Sequence, residues 1–145
     1  MTGKVFVDTN VLVYTRDSSE AGKQEQAEAW MRYLWKTRDG CLSLQVLHEF
    51  YVTVTRKLSP GLNVAQARGD VRALLSWEPQ PLNAQVLEAA WNLEDRHSLS
   101  WWDALIVAAA QVSVCRVLLT EDLQEGRNLD GVRVVNPFLN PPPGR

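Results

Sequence analysis

Two short apolar runs in this chain lead directly to acidic residues. The run Val5-Phe6-Val7 is followed at once by Asp8, and the run 117–120 ends two residues before Asp122. Apolar runs this short, bounded by polar residues, predict strands that are buried on both faces, as in a parallel sheet. Ligands bind beyond the carboxyl ends of such strands. The sequence therefore places its most informative acids at the edge where a binding site is expected.

Segments with helical periodicity separate these runs. In residues 20–37, apolar side chains recur at spacings of three, four and seven and form one stripe. The patterns predict strands over 4–8, 41–44, 116–120 and 132–135, and an edge strand or connector over 77–82. They predict helices over 20–37, from about 45 to 58, from an Asn63 cap to 75, over 83–97, and from a Ser100 cap to about 112. Such alternation predicts an α/β fold with helices on both faces of a parallel sheet.

Length and composition restrict the class of protein. The 145 residues predict one domain over 1–140 and a Pro-rich tail over 141–145. A net charge of −2 argues against a strongly basic nucleic-acid binder, although basic residues around a metal-filled acidic pocket still allow nucleic acid to bind. Cys41 and Cys115 are expected to be buried, reduced thiols. With no signal-peptide pattern and no apolar run of membrane-spanning length, we expect a cytoplasmic protein without membrane contact.

Asp103 and Asp8 each have a structural and a functional interpretation. Asp103 is the only charge in the apolar helix 101–114, where it either completes a capping box with Ser100 or binds a ligand. Asp8 either caps the following segment or contributes to a site. A buried carboxylate is costly unless something positive compensates it. Both interpretations remain open for each residue.

Glu49 and Asp122 are the other two candidates. Glu49 points away from the apolar stripe of its helix, as a solvated residue does, but it lies early enough in the helix to reach a site. Asp122 either caps a turn together with Thr120 or joins the other acids. His48, adjacent to Glu49, is interpreted as a surface or packing residue because neighbouring side chains on a helix diverge.

Aromatic and basic residues offer possible nucleic-acid contacts. The six tryptophans are expected to pack in the core, with Trp77 as the candidate for stacking on an RNA base. Two basic pairs, Arg56 with Lys57 and Arg68 with Arg72, are either solvated charges or contacts to a phosphate backbone.

The order of these segments resembles one known family. Four segments carry the likeness: Val5-Phe6-Val7-Asp8-Thr9-Asn10-Val11-Leu12, Ser43-Leu44-Gln45-Val46-Leu47-His48-Glu49-Phe50, Ser100-Trp101-Trp102-Asp103-Ala104-Leu105-Ile106 and Leu118-Leu119-Thr120-Glu121-Asp122-Leu123. Together they resemble the four acidic motifs of PIN-domain nucleases over nearly the whole chain. The short chain and Gln45 before Glu49 are most similar to the VapC-like toxins of type II toxin–antitoxin pairs.

The resemblance implies a fold, an activity and partners. The fold is a PIN-like three-layer α/β/α sandwich with a mostly parallel central sheet. The activity is a toxin endoribonuclease that depends on Mg²⁺, with Mn²⁺ as an alternative, and cleaves RNA phosphodiesters. The expected partners are an RNA substrate, a cognate antitoxin whose C-terminal segment lies across the active site, and a second copy of the chain in a homodimer.

Electrostatics favour a metal among the four acids. Two carboxylates about 4 Å apart at an effective dielectric near 20 repel by roughly 4 kcal/mol, so converging acids take up protons or a cation. We expect Asp8 and Asp103 to hold the main ion with help from Asp122. Glu49 is expected to bind through water, complete a second site or orient the nucleophile. Three uncharged residues are expected to fix the carboxylates or the water, namely Thr9, Asn10 and Thr120.

Other functions are compatible with parts of this pattern. One class of phosphotransfer domain requires a second acid two residues after the first, where this chain has Asn10. Another class requires an acidic pair near the start of the chain and a lysine on the last strand. A nuclease for structured DNA requires additional elements for which the chain is short. The principal alternative is a non-catalytic RNA- or protein-binding module of PIN-like fold, which would not need all four acids.

Overall fold

A computed structural model describes residues 3–144. The predictions that place Met1 and Thr2 in the domain and Arg145 in the tail therefore lie outside the described residues. The strands are β1 (Val5–Val7), β2 (Gly40–Cys41), β3 (Val117–Leu119), β4 (Asn128–Leu129) and β5 (Val132–Val135). The helices are α1 (Thr9–Tyr14), α2 (Ala21–Thr37), α3 (Leu44–Val52), α4 (Val64–Leu74), α5 (Ala84–Arg96) and α6 (Trp101–Val112).

One five-stranded sheet organises the molecule, in the order β2-β1-β3-β5-β4. The first four strands of this order are parallel, and β4 pairs antiparallel with β5. In β1 and β3 every residue is buried, because helices flank the sheet. The expected mostly parallel α/β fold is therefore confirmed. The register pairs Val7 with Leu119, so the residues that follow β1 and β3 emerge side by side.

Most predicted helices are present within a residue or two of their expected ends. Asn63 forms a complete capping box with Gln66 at the start of α4, and Ser100 caps α6. The helix expected to reach about residue 58 does so, but its last five residues, Thr53–Lys57, form a π-helical turn. Such turns widen the helix and are frequent at functional sites.

Three local expectations need correction. The second strand is only Gly40–Cys41, and Ser43 instead forms an isolated parallel bridge with Gln80. Helix α1 was not predicted, and neither was β4. The hairpin between β4 and β5 turns through Asp130 and Gly131, both with positive φ, as Asp-Gly turns do.

The core lies between the sheet and the helices. Its largest fully buried side chains include Trp30, Phe6 and Phe50, and α6 is buried from Ala104 through Ala110. The indole of Trp30 donates to the backbone carbonyl of Asn140 at 2.8 Å, which anchors the chain just before the Pro-rich tail. Cys115 is buried, but Cys41 is only half-buried, so the expectation of two buried thiols holds for one. Among residues 3–144, no helix combines the length and apolar character needed to cross a membrane.

Not all tryptophans belong to this core. Trp35, Trp91 and Trp102 are 43%, 50% and 62% exposed, which contradicts the expectation that all six pack inside. Trp77 is half-buried and packs against Trp35 with ring centroids 5.1 Å apart. Because its ring also covers Gly40, Trp77 is a packing residue and not a free platform for a base.

We predict that Gly40→Ala destabilises the fold because a methyl group at position 40 would overlap the ring of Trp77. The expected loss is about 1–3 kcal/mol in the free energy of unfolding, measured by urea denaturation. Gly69→Ala is the matched control, since an added methyl meets nothing within 4 Å on helix α4, and this change should stabilise by roughly 0.5–1 kcal/mol. Trp77→Leu should relieve much of the Gly40→Ala cost; additive losses in the double variant would contradict the proposed overlap.

Candidate functional site

Asp8 and Thr120 meet where the two central strands end. The backbone N–H of Asp8 donates to the carbonyl of Leu119 at 3.1 Å, so the residues following β1 and β3 lie together. The hydroxyl of Thr120 donates to Asp8 Oδ2 at 2.8 Å. Asp8 is 8% exposed and Thr120 is fully buried. A carboxylate is therefore held by the strand register under the surface of the sheet edge.

Asp8 also begins helix α1. Its backbone is extended, and its Oδ1 accepts from the N–H of Thr9 at 2.7 Å as the N-cap. The capping interpretation is thus correct for one carboxylate oxygen, while the other faces the end of β3. This cap turns the chain sharply and brings Thr9 and Asn10 toward the other acids.

The side chain of Asn10 connects three segments. Its Nδ2 lies 3.2 Å from Asp8 Oδ2, 3.0 Å from Thr120 Oγ1 and 3.0 Å from Asp122 Oδ2. Its Oδ1 accepts from the N–H of Glu121 at 3.4 Å. An amide nitrogen has two hydrogens, so these three acceptors share them. Asn10 therefore holds Asp8 and Asp122 on either side of one amide group.

Glu49 joins this group through helix α3, which contacts α1. The hydroxyl of Thr9 donates to Glu49 Oε1 at 2.7 Å. Glu49 is exposed, as expected for a residue on the polar side of its helix. The bond from Thr9 nevertheless turns its carboxylate toward Asp8, whose pKa it raises by charge repulsion.

Asp103 lies in the first turn of α6 and is half-buried. Its N–H donates to the hydroxyl of Ser100 at 3.2 Å, which is one half of the expected capping box. Within residues 3–144 its carboxylate makes no return bond to the cap. Asp103 makes no hydrogen bond to the other three acids, but its charge raises the pKa of Asp122, so the two are electrostatic neighbours.

Burial shifts two of the acids, Asp8 and Asp122, toward their neutral forms. Burial raises the pKa of Asp8 to about 6, against the opposing hydrogen bonds from Thr120 and Thr9. Burial also raises the pKa of Asp122; the bond from Asn10 opposes this, and the charges of Glu121 and Asp103 add to it. Across the described range, no Lys, Arg or His forms an ion pair with Asp8, Glu49, Asp103 or Asp122.

The donor set suits a hard divalent cation. Carboxylate, hydroxyl and amide oxygens are the ligands such ions prefer, and none of the four acids is paired with a basic side chain among residues 3–144. In the described conformation Asn10 lies between Asp8 and Asp122, and no three metal-binding side chains among residues 3–144 are close enough to form a complete ligand cluster. Magnesium retains several waters, so a small number of carboxylates is sufficient to bind it.

A cavity of about 650 Å³ is lined by two of the four acids, Glu49 and Asp122; we call it the acidic cavity. Its other polar lining residues include Thr9, Asn10, His48 and Lys57. Lys57 comes from the π-helical turn that ends helix α3. Of the basic residues considered from the sequence, Arg68 and Arg72 instead line a separate apolar groove between α3 and α4.

The sequence did not predict the position of Glu121. Glu121 lies between Thr120 and Asp122 but turns away from the acids, and its carboxylate accepts from Lys23 Nζ at 2.9 Å and from the hydroxyl of Tyr14 at 2.5 Å. Lys23 also lies over the ring of Tyr14 at 5.0 Å. These partners are about 100 residues apart in the chain, and no local pattern links them.

Comparison with known proteins identifies the family. The family model described as PIN domain matches residues 5–127, which is most of the chain. The chain belongs to the PIN-domain family. This confirms the resemblance carried by the four acidic segments, and it confirms the expected fold. No curated protein matches the chain at a significant level.

Several solved structures share the fold of this chain at low sequence identity. The DNA-bound VapBC structure from Salmonella typhimurium is 19% identical with a TM-score of 0.64, covering 92% of this chain and 97% of that one. A toxin–antitoxin complex from Klebsiella pneumoniae is 18% identical with a TM-score of 0.60, covering 92% and 98%. The sarcin–ricin loop-cleaving toxin VapC20 of Mycobacterium tuberculosis is 20% identical with a TM-score of 0.57, covering 79% and 87%.

The raised pKa of Asp8 predicts a pH-dependent stability effect in the absence of divalent metal. A folded-state pKa near 6 against an unfolded value near 3.8 means that the folded protein binds this proton more tightly. The contribution therefore favours folding below about pH 4 and is lost as pH rises to 6, by at most about 3 kcal/mol.

Asp8→Asn should remove this effect. In EDTA, the free energy of unfolding of the variant minus that of the wild type should increase between pH 4 and pH 7.5, measured by urea denaturation. Asp95→Asn, an exposed change on α5, is the control. A difference for Asp8→Asn that does not change with pH would show that Asp8 is not the responsible group.

Proposed function

We propose that this PIN-domain protein is a Mg²⁺- or Mn²⁺-dependent endoribonuclease, the toxin component of a type II toxin–antitoxin pair. One observation carries the proposal: in a PIN domain, Asp8 and Asp122 share the amide of Asn10 at the sheet edge, and both have raised pKa values, to which the charges of Glu49 and Asp103 contribute. Among residues 3–144, none of these four acids forms an ion pair with a Lys, Arg or His. A divalent ion supplies the missing charge and, when bound, acts as a Lewis acid that activates water and stabilises charge on the phosphodiester.

In this proposal the residues of the site have separate roles. Asp8, Asp103 and Asp122 would hold the ion, as expected from the sequence. Asn10 would position Asp8 and Asp122, because it contacts both. Thr120 supports Asp8 directly through its buried hydroxyl.

Glu49 is suited to a different role. It is exposed, lines the acidic cavity and is oriented by the hydroxyl of Thr9. A carboxylate in that position can accept a proton from an attacking water or orient that water. Thr9 therefore acts through Glu49 and not through the reacting phosphate.

Lys57 is the candidate contact for the RNA backbone at this site. It lines the acidic cavity together with His48, and both can donate to phosphate oxygens. A nearby cation also compensates in part for the repulsion between the acids and an anionic substrate.

The toxin assignment rests on structural likeness. The solved structures from Salmonella typhimurium and Klebsiella pneumoniae are toxin–antitoxin complexes, and VapC20 is titled a sarcin–ricin loop-cleaving toxin. By analogy with these complexes we propose a cognate antitoxin for this chain. We also propose RNA as its substrate and a second copy of the chain as its partner in a homodimer. A cytoplasmic location follows from an RNA substrate and a co-expressed inhibitor.

The first test is RNA cleavage by Asp8→Asn and Asp103→Asn in 5 mM Mg²⁺ or 1 mM Mn²⁺. Each change removes a charge that would hold the ion, so we expect cleavage rates at least 100-fold below wild type. Gel-based cleavage of single-stranded RNA measures the rate, and circular dichroism checks the fold. Asp95→Asn should cleave like wild type.

The same variants separate this proposal from the non-catalytic module. Wild type should gain thermal stability on addition of Mn²⁺ in EDTA-free buffer, and Asp103→Asn should gain much less. A wild type that binds RNA but neither cleaves it nor responds to metal would favour the binding module.

Lys57 gives a further prediction. Lys57→Met should raise the KM for RNA about 3- to 10-fold with little change in kcat, because it removes one phosphate contact but no reacting group. Arg56→Met is the matched control, as Arg56 is the neighbouring cation but is not part of the cavity lining. Equal effects of the two changes would indicate general charge attraction instead of a specific contact.

A further inference from the structure

A second cavity adjoins the acidic cavity along helix α3. It measures about 710 Å³, and we call it the Trp102 cavity. Its lining residues come from α3, the connector before α5 and the start of α6: Leu44, Gln45, His48, Glu49, Pro81, Leu82 and Trp102. His48 and Glu49 line both cavities, so the two lie side by side along α3.

The Trp102 cavity concentrates exposed apolar surface. Trp102 is 62% exposed, Leu82 is 52% exposed and Leu44 is 36% exposed, although each belongs to a residue type that normally packs inside. Trp102 immediately precedes Asp103 in the first turn of α6. Adjacent side chains on a helix diverge, and the acid that lines the cavity together with Trp102 is Glu49. Apolar surface gathered in one concave place is typical of a binding site.

Gln45 contributes a second, independent observation. Its side-chain Nε2 is buried and is the one such polar atom in the described chain that has no hydrogen-bond partner. Leaving a buried donor unpaired costs free energy that a native fold normally avoids. Because Nε2 has no hydrogen-bond partner, the Gln45 amide group loses no bond from Nε2 when it turns toward a ligand in the cavity. A hydrogen-bond acceptor on that ligand would then pair with Nε2.

A ligand that suits both features has a flat aromatic face and hydrogen-bond acceptors on its edge. Nucleobases have both, since every base stacks on an aromatic ring and every base carries edge acceptors. Because the two cavities adjoin at His48 and Glu49, a strand with one phosphodiester at the acidic cavity would bring a neighbouring nucleotide to the Trp102 cavity.

We propose that the Trp102 cavity binds one unpaired nucleobase of the RNA, next to the phosphodiester that is cut, with the base stacked on Trp102 and read at its edge by Gln45. This inference rests on the proposed function. It assigns the enzyme a single-stranded or bulged substrate, because a base must leave its stack to enter the cavity. It also makes Trp102 a substrate-binding residue, in place of Trp77.

A pool of random 12-nucleotide RNAs is first used to map where the wild type cleaves. The first experiment then measures cleavage of one single-stranded oligomer chosen from that pool. Trp102→Ala should raise KM about 5- to 100-fold, the range expected for one lost base–aromatic stack, with kcat within 3-fold of wild type. Trp102→Phe retains a ring and should remain within about 3-fold in KM. Trp91→Ala removes another half-exposed tryptophan, on α5 outside this cavity, and should behave like wild type.

The second experiment asks whether Trp102 contacts a base. The same oligomer is prepared with one abasic nucleotide at each position flanking the cleaved bond. One position should raise KM for the wild type and have no further effect on Trp102→Ala, because both changes remove the same contact. Gln45→Leu keeps the stacking surface and should instead reduce the preference for the base at that position.

Three results would overturn the base-binding cavity. A Trp102→Ala variant whose KM for RNA equals that of the wild type would do so. Additive losses between Trp102→Ala and every abasic substitution would do so as well. Normal RNA cleavage by Trp102→Ala, together with weakened binding to its antitoxin or to a second copy, would assign this surface to a protein partner. A wild type that cleaves no RNA with Mg²⁺ or Mn²⁺ would overturn the proposed function itself, which is a separate and recognisable outcome.

Discussion

The carboxylate of Asp8, buried at the end of the central strand without a positive partner, is the constraint on which the site depends. It is tolerated because uncharged groups surround it: the N–H of Thr9, the hydroxyl of Thr120 and the amide of Asn10. The bonds from Thr120 and Thr9 lower its pKa, but burial outweighs them and raises the pKa to about 6. Near neutral pH the group is therefore charged at a cost, and a bound cation would remove that cost. The fold therefore keeps this carboxylate buried at the expense of its own stability.

Two neighbouring acids, Glu121 and Asp122, show how the fold selects which charges reach the site. The carboxylate of Glu121 accepts hydrogen bonds from Lys23 and from the hydroxyl of Tyr14. The carboxylate of Asp122 instead accepts a bond from Asn10 and lines the acidic cavity. The charge of Glu121 still raises the pKa of Asp122, and the ion pair with Lys23 balances part of that charge. The Lys23–Glu121 pair thus links the turn after β3 to helix α2.

The sequence predicted most of the fold because the long elements carry strong local patterns. Buried strands, the caps at Asn63 and Ser100 and the helical stripes were all readable. Helix α1 was not, because its six residues include four that are β-branched or aromatic, and the Asp8 cap decides its conformation. The missed strand β4 had a readable signal in Asp130-Gly131, whose positive φ values suit a tight hairpin. Contacts such as Lys23 with Glu121 depend on tertiary packing, and no spacing rule could have given them.

The location of the acids was partly predictable, but their relations were not. Parallel strand order brings the end of β1 next to the end of β3, and this follows from the topology alone. The amide of Asn10 between Asp8 and Asp122, and the lack of a return bond from Asp103 to its cap, are details of side-chain packing. A chain with a net charge of −2 lacks a broad basic surface for RNA. In the proposed function, affinity must therefore come from a few local terms: the cation, one lysine and an aromatic platform. Stacking on Trp102 is not screened by salt, so a protein of this charge can hold RNA with fewer ionic contacts than a basic binder uses.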